Sequence, residues 1–239
     1  MREPPAAWLP PLGRSIDQLL ASVERLTDSE VREPSLLPEW TRAHVLTHIA
    51  RAADSRTRLL TAARTGAQLP QYLSEEERSR QIEAGARLPA AVLVDDLEGA
   101  LRRFLVMAAD HPAGAWKVPV RWLGGSLRPV GGAVGSLLRE VEVHHTDLDM
   151  GHRPADWPEQ FVVRELATTV DRLRRRPDAP AMVLHVAGGA GAHAVGGGAG
   201  PRVSGPAAEL LGWLSGRIDG SALSVDPPGR LPQVPPWRS

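Results

Sequence analysis

Residues 42–64 read RAHVLTHIARAADSRTRLLTAAR, and their spacing predicts the long amphipathic helix on which the first half of the fold depends. Thr41 precedes this stretch and is a suitable N-cap residue. The predicted inward face consists of Val45, Leu46, Ile49, Ala52 and Ala53. His44 and His48 are four residues apart, so both side chains are expected on one side of the helix.

Three further stretches have helical periodicity, and with the first they predict a four-helix bundle. These stretches are 15–26, 89–109 and 130–150. The predicted irregular connections are 28–40, which contains two prolines, the polar stretch 66–85, and 111–129, which is rich in Gly and Trp. We therefore expect an N-terminal domain at 1–152 that is a helical bundle.

The pattern changes after Gly151, where GHRPADWP (151–158) is a candidate linker. A helix at 161–176 is followed by the short strand-like runs AMVLHVAG, AHAVGGG and PRVSG, a helix at 206–218 and the run ALSV. This order predicts a small α+β domain with an antiparallel sheet at 157–239, so the whole chain is of the α+β class. The glycines at 188–200 lack the spacing of a phosphate-binding loop and are predicted to form a hairpin connection.

The composition excludes several functions. The 239 residues contain no cysteine, which excludes disulfides, a cysteine nucleophile, iron–sulfur clusters and thiolate zinc sites. The 28 basic residues balance 28 acidic residues, so nucleic acid and anionic membranes are not expected partners. We find no apolar run as long as a membrane span and no signal-peptide core, and we expect a cytoplasmic monomer or weak oligomer.

Histidine placement gives the strongest indication of chemistry. Glu140 and His144 are one helical turn apart in LLREVEVHHTDLDMG (137–151), as His44 and His48 are in the first helix. His48, Glu140 and His144 would give two imidazoles and a carboxylate, a catalytic zinc set with an open fourth position. HExxH is absent. On the pattern alone, hydrogen-bonded helix faces explain these residues as well as a metal site does.

The stretches LPEWTRAHVLTHIARAAD (37–54) and LLREVEVHHTDLDMG resemble the mycothiol-dependent maleylpyruvate isomerase family, which joins a DinB-like metal-binding bundle to a domain similar to sterol carrier proteins. VSGPAAELLGWLSGR (203–217) and LPQVPPW (231–237) resemble the second domain. The resemblance implies one zinc per chain, with His48, Glu140 and His144 as ligands, and a role in isomerisation for Arg217. It leaves His44, His145 and Asp147 as pocket-lining or outer-shell residues, with a structural hydrogen bond as the alternative for Asp147.

The implied reaction uses mycothiol, a small-molecule thiol, and a small anionic or electrophilic substrate. The thiolate, activated by zinc, adds to a cis double bond, the single bond rotates, and elimination leaves the trans product, while Arg217 holds the carboxylate or enolate charge. A mycothiol S-transferase of detoxification or natural-product synthesis and a non-enzymatic metal-binding module are the alternatives. The tryptophans that could pack against a ligand, or simply belong to the core, are Trp40, Trp116, Trp122 and Trp213.

Overall fold

The structure is a computed structural model that describes residues 4–189, 191–197 and 200–237. The chain divides into two compact units, Met1–Met150 and Gly151–Ser239. The first is helical and the second combines helices with a four-stranded sheet, so the predicted α+β class is confirmed. In the described part of the chain, no helix combines the length and the apolar character needed to cross a membrane.

From residue 4 onwards, the first unit contains five α-helices. They are α1 (Leu9–Val23), α2 (Arg42–Thr65), α3 (Glu75–Gly85), α4 (Ala90–Ala109) and α5 (Gly132–Asp147). The predicted inward face of α2 is fully buried, and α2 packs against α4 and α5 while α1 packs against the same two helices. The helix α2 ends at Gly66, whose φ of 74° is a left-handed conformation that favours glycine.

The helix α3 corrects the prediction that 66–85 is an irregular connection. Ser74 begins it, since its Oγ accepts a hydrogen bond of 3.0 Å from the Glu77 N–H, and three glutamates stand at the positive end of the helix dipole. Ile82 is the one buried residue of α3. A helix this exposed has no apolar stripe, so its residues show no helical periodicity of apolar side chains. It packs against α2.

The stretch 111–129 is also more regular than predicted. It contains a hairpin of two short strands, β1 (Pro119–Arg121) and β2 (Leu127–Pro129). Gly124 and Gly125 connect them with positive φ values of 79° and 81°. Trp116 and Trp122 are buried in this region, which makes both of them anchors of the connection between α4 and α5.

The second unit consists of α6 (Glu159–Arg174), β3 (Met182–Val186), β4 (Ala192–Val195), β5 (Arg202–Gly205), α7 (Ala207–Leu214) and β6 (Ser224–Asp226). The strand order is β4-β3-β5-β6. β3 pairs with β4, and β5 with β6, in antiparallel fashion, but β3 and β5 are parallel, so the sheet is mixed. The predicted hairpin between β3 and β4 is present, although residues 190, 198 and 199 of the glycine-rich stretch lie outside the described residues.

Candidate metal centre

The packing of α2 against α5 brings together the three predicted metal ligands. His48 lies on α2, and Glu140 and His144 lie one turn apart on α5, and all three side chains are buried. His48 Nε2 is 3.1 Å from Glu140 Oε2 and 3.0 Å from His144 Nε2, and the latter two atoms are 3.2 Å apart. Three potential ligand atoms therefore converge on one point between the helices.

This arrangement fits a divalent metal ion. Ligand atoms bound to a tetrahedral zinc at 2.0–2.1 Å are about 3.3 Å from one another, and the three observed separations are 3.0 to 3.2 Å. Two imidazoles and one carboxylate also form a donor set that leaves a fourth position free for a ligand. His48, Glu140 and His144 could therefore hold zinc without rearrangement of α2 or α5.

Arg56 keeps the Glu140 carboxylate charged. Its Nη2 donates to Glu140 Oε1 at 2.6 Å and to Ser136 Oγ at 2.9 Å, which leaves Glu140 Oε2 facing the two imidazoles. Burial alone would raise the pKa of Glu140, but the Arg56 guanidinium and hydrogen bonds from His144 and His48 hold that pKa well below its ordinary value. Glu140 is thus an anion at neutral pH in a buried site.

Asp147 orients His144. Its Oδ2 lies 2.7 Å from His144 Nδ1, on the side of the ring opposite the cluster, and the carboxylate is 1% exposed. Burial lowers the pKa of His144, but the hydrogen bonds to Asp147 and Glu140 outweigh it and raise the pKa above the ordinary value. A carboxylate on the far nitrogen of a histidine is a common support for a metal ligand because it holds the ring and its tautomer.

His48 has a different environment. Burial, with a smaller contribution from the nearby His144, lowers the pKa of His48 to about 4, so its imidazole is neutral at pH 7. Its Nδ1 accepts a hydrogen bond of 3.0 Å from Arg78 Nη2 on α3. The ring of Trp40 contacts the His48 ring edge-on, with 5.5 Å between centroids.

Two of the predicted pocket residues do not join the cluster. His44 Nδ1 accepts from the Thr41 N–H at 3.1 Å and lies 2.8 Å from Thr41 Oγ1, so this side chain caps the start of α2. The Nε2 atom of His145 lies 2.9 Å from the Ser22 hydroxyl on α1. Of the tryptophans, Trp40 lies beside the cluster, whereas Trp213 is buried in the second unit.

Sequence patterns did not indicate a functional role for Arg56 or Arg78. Arg56 lies eight residues after His48 on α2 and is buried beside Ala52 and Ser55, and a charged residue two turns along a buried helix is a signal that could have identified it. Arg78 belongs to α3, which the sequence did not predict as a helix. Its contact with His48 follows from tertiary packing and has no local pattern.

Arg217 lies just beyond α7 in the second unit. Gly216 has a left-handed φ of 74°, and the Arg217 N–H donates to the Gly212 carbonyl, which together form a Schellman motif at the helix end. The Arg217 guanidinium donates to the Ser215 carbonyl at 2.5 Å and lies over the Trp237 ring, 5.1 Å from its centroid. Gly216 is thus explained by the left-handed turn that ends α7, and the Arg217 side chain that follows it packs against the C-terminal segment.

Comparison with known proteins extends this description to the whole chain. The sequence profile of the mycothiol maleylpyruvate isomerase N-terminal domain matches residues 12–149, and that of the corresponding C-terminal domain matches 156–236. No curated protein matches the chain significantly in sequence. Two crystal structures share the fold of this chain, one of the mycothiol-dependent maleylpyruvate isomerase and one of its histidine-to-alanine mutant. Each superposes with a TM-score of 0.92, is 24% identical in sequence, and matches over 98% of this chain and 98% of its own. The chain belongs to the mycothiol maleylpyruvate isomerase family.

Proposed function

We propose that this protein is a mycothiol-dependent cis–trans isomerase of the maleylpyruvate type, with one zinc ion bound by His48, Glu140 and His144. The observation that carries the proposal is the buried convergence of these three side chains, with ligand atoms 3.0 to 3.2 Å apart. Membership of the family supports the reaction and the thiol. A sequence without cysteine supports an external thiol, because the chain has none of its own to donate.

The proposal assigns different tasks to two domains, 1–152 and 157–239. The metal ligands all belong to the first domain, so this domain would hold the ion. Arg217 belongs to the second domain, where it would bind a carboxylate of the substrate. A guanidinium suits that task because its planar fork makes two parallel hydrogen bonds to one carboxylate.

The residues around the cluster prepare it for a cation. His48 is neutral at pH 7, so it can become a ligand by moving its ring proton from Nε2 to Nδ1 with no net loss of a proton, and Arg56 keeps Glu140 ionised. Asp147 accepts the Nδ1 proton of His144, which directs the other nitrogen of that ring into the cluster. When bound, the metal supplies positive charge that stabilises the thiolate form of mycothiol near neutral pH.

The isomerisation that we propose is balanced in atoms and electrons. The thiolate sulfur forms a bond to one carbon of the cis double bond, and the π electrons move towards the conjugated carbonyl group as an enolate. The former double bond is now single and rotates. The enolate then collapses, the carbon–sulfur bond breaks, and the trans alkene and the thiolate are released. Arg217 would stabilise the negative charge of the substrate throughout, and no oxidant or reductant is consumed.

The test is to incubate zinc-loaded protein with maleylpyruvate and mycothiol and to follow the alkene protons and the free thiol by NMR. The proposal predicts conversion to the trans isomer with the thiol recovered in full. A stable carbon–sulfur conjugate would instead identify an S-transferase. Zinc binding with neither product would contradict the isomerase proposal and favour the metal-binding module.

A further inference from the structure

Arg78 on α3 is a half-buried cation at the edge of the metal centre. Its Nη2 donates to His48 Nδ1 at 3.0 Å, and its guanidinium carbon lies 5.7 Å from the centre of the Tyr72 ring. In the part of the chain that the structure describes, Arg78 makes no ion pair with a carboxylate. The neighbouring arginines do: Arg51 pairs with Asp96, Arg56 with Glu140, and Arg80 with Glu77.

The contact between Arg78 and His48 is incompatible with metal binding by His48. In the present arrangement Nδ1 provides a lone pair, so the ring proton is on Nε2, which faces Glu140. A neutral imidazole that binds a metal through Nε2 carries its proton on Nδ1. A guanidinium has five N–H donors and no acceptor, so two donors would then face each other. Arg78 must therefore leave His48 when the cluster binds a metal.

Once it no longer contacts His48, the Arg78 guanidinium can bind another group close to the metal ion. Ile82 is the one buried residue of α3, so Arg78 belongs to a largely exposed helix. The Arg78 side chain can therefore change its conformation without disturbing the hydrophobic core. In the described chain, no carboxylate pairs with this charge in the present arrangement. A carboxylate on a ligand above the cluster would provide that partner and accept two hydrogen bonds from the planar fork.

We propose that Arg78 is a substrate-binding residue of the metal-loaded protein, and that it binds a carboxylate of an anionic cis-unsaturated acid next to the His48–Glu140–His144 cluster. This inference rests on the proposed function for the choice of substrate class. It gives the first unit a cation of its own for the carboxylate, beside the metal ligands that the same unit contributes.

The experiment measures binding separately from turnover. Maleate, a cis-dicarboxylate, is titrated calorimetrically into zinc-loaded wild type, Arg78→Ala, Arg78→Lys and Arg80→Ala, and zinc affinity is measured for each protein by competition with a chromogenic chelator. Arg80 is the matched control because it lies two residues along α3, is exposed and pairs with Glu77. Alanine favours a helix, so neither substitution should impair folding.

We expect Arg78→Ala to bind maleate about 10- to 100-fold more weakly, the usual effect of losing a hydrogen bond to a charged group. Arg78→Lys should recover part of the affinity, and Arg80→Ala should match the wild type. Zinc should bind Arg78→Ala at least as tightly as it binds the wild type, because no contact to His48 has to be broken. Weaker zinc binding would make Arg78 a structural support of His48 and overturn the proposal. Wild-type maleate affinity in Arg78→Ala, or no maleate binding by the zinc-loaded wild type, would overturn it too.

If maleate binding depends on Arg78 but maleylpyruvate is not isomerised, the proposed function fails and the binding role of Arg78 stands. If isomerisation occurs and Arg78→Ala keeps the wild-type KM, the function stands and the role of Arg78 fails. The two proposals can therefore be separated by the same set of proteins.

Discussion

Removal of Arg56 should destabilise the metal-free protein more than removal of any other ion-paired arginine of α2. Arg56 Nη2 lies 2.6 Å from Glu140 Oε1, and both side chains are more than nine-tenths buried. Arg56→Met keeps most of the volume but leaves a buried carboxylate without its cation, which typically costs about 3–5 kcal/mol. Urea denaturation at pH 7 after chelator treatment would measure the loss as a change in the free energy of unfolding.

Arg51→Met is the matched control on the same helix. Arg51 pairs with Asp96 at 2.6 Å, but the two side chains are 23% and 34% exposed, so its loss should cost about 1 kcal/mol or less. The double variant Arg56→Met/Glu140→Gln should lose less than the sum of the two single variants, with a coupling of about 1–3 kcal/mol. The cost of Arg56→Met should also shrink as pH falls, because a protonated Glu140 needs no cation. Equal losses for Arg56→Met and Arg51→Met would refute this account of Glu140.

Three further predictions follow from the cluster and from Arg217. His48→Ala or His144→Ala should each remove the zinc measured by elemental analysis while circular dichroism stays helical; wild-type zinc content in both variants would refute the ligand assignment. The metal-free protein should lose stability as pH falls from about 6.5 towards 4. Burial lowers the pKa of His48 to about 4 in the folded state, whereas the same group in the unfolded chain binds a proton near pH 6.5, so protons favour the unfolded chain in this range. The denaturation midpoint in urea measures this loss, and a midpoint that is constant or rises would contradict it. Arg217→Ala should keep its fold and zinc and lose about 2–4 kcal/mol of transition-state stabilisation in kcat/KM, with Arg217→Lys also impaired; wild-type kcat/KM in a zinc-loaded Arg217→Ala protein would show that Arg217 takes no part in the reaction.

Patterns of local spacing predicted much of the fold and the centre of the site. The apolar period of α2 is strong because its inward face is fully buried, and that face includes Val45 and Ile49. The four-residue spacing of Glu140 and His144 places both on one side of α5 whatever the helix packs against. Joining them to His48 required a packing assumption, that α2 lies beside α5, and the structure has these helices in contact.

Features that depend on tertiary contacts were missed or mistaken. The helix α3 is exposed and has no stripe to detect, so Arg78 and its contact with His48 could not be foreseen. His44 and His48 share a helix face as the spacing predicts, and the Trp40 ring contacts both, but the hydrogen bond from the Thr41 N–H to His44 Nδ1 at the start of α2 was not foreseen. The parallel pairing of β3 with β5 was also not predicted. Strands of four or five residues have too few alternating positions for the sequence to specify which strands pair.

The central claim is that the thiol in the reaction comes from outside the chain and acts beside a metal held by the cluster. The most direct test is the rate of maleylpyruvate isomerisation by zinc-loaded protein with and without added mycothiol, with the metal-free His48→Ala variant beside it. We expect turnover only when both mycothiol and an intact cluster are present. Full turnover in thiol-free buffer, or by the metal-free His48→Ala variant, would contradict it.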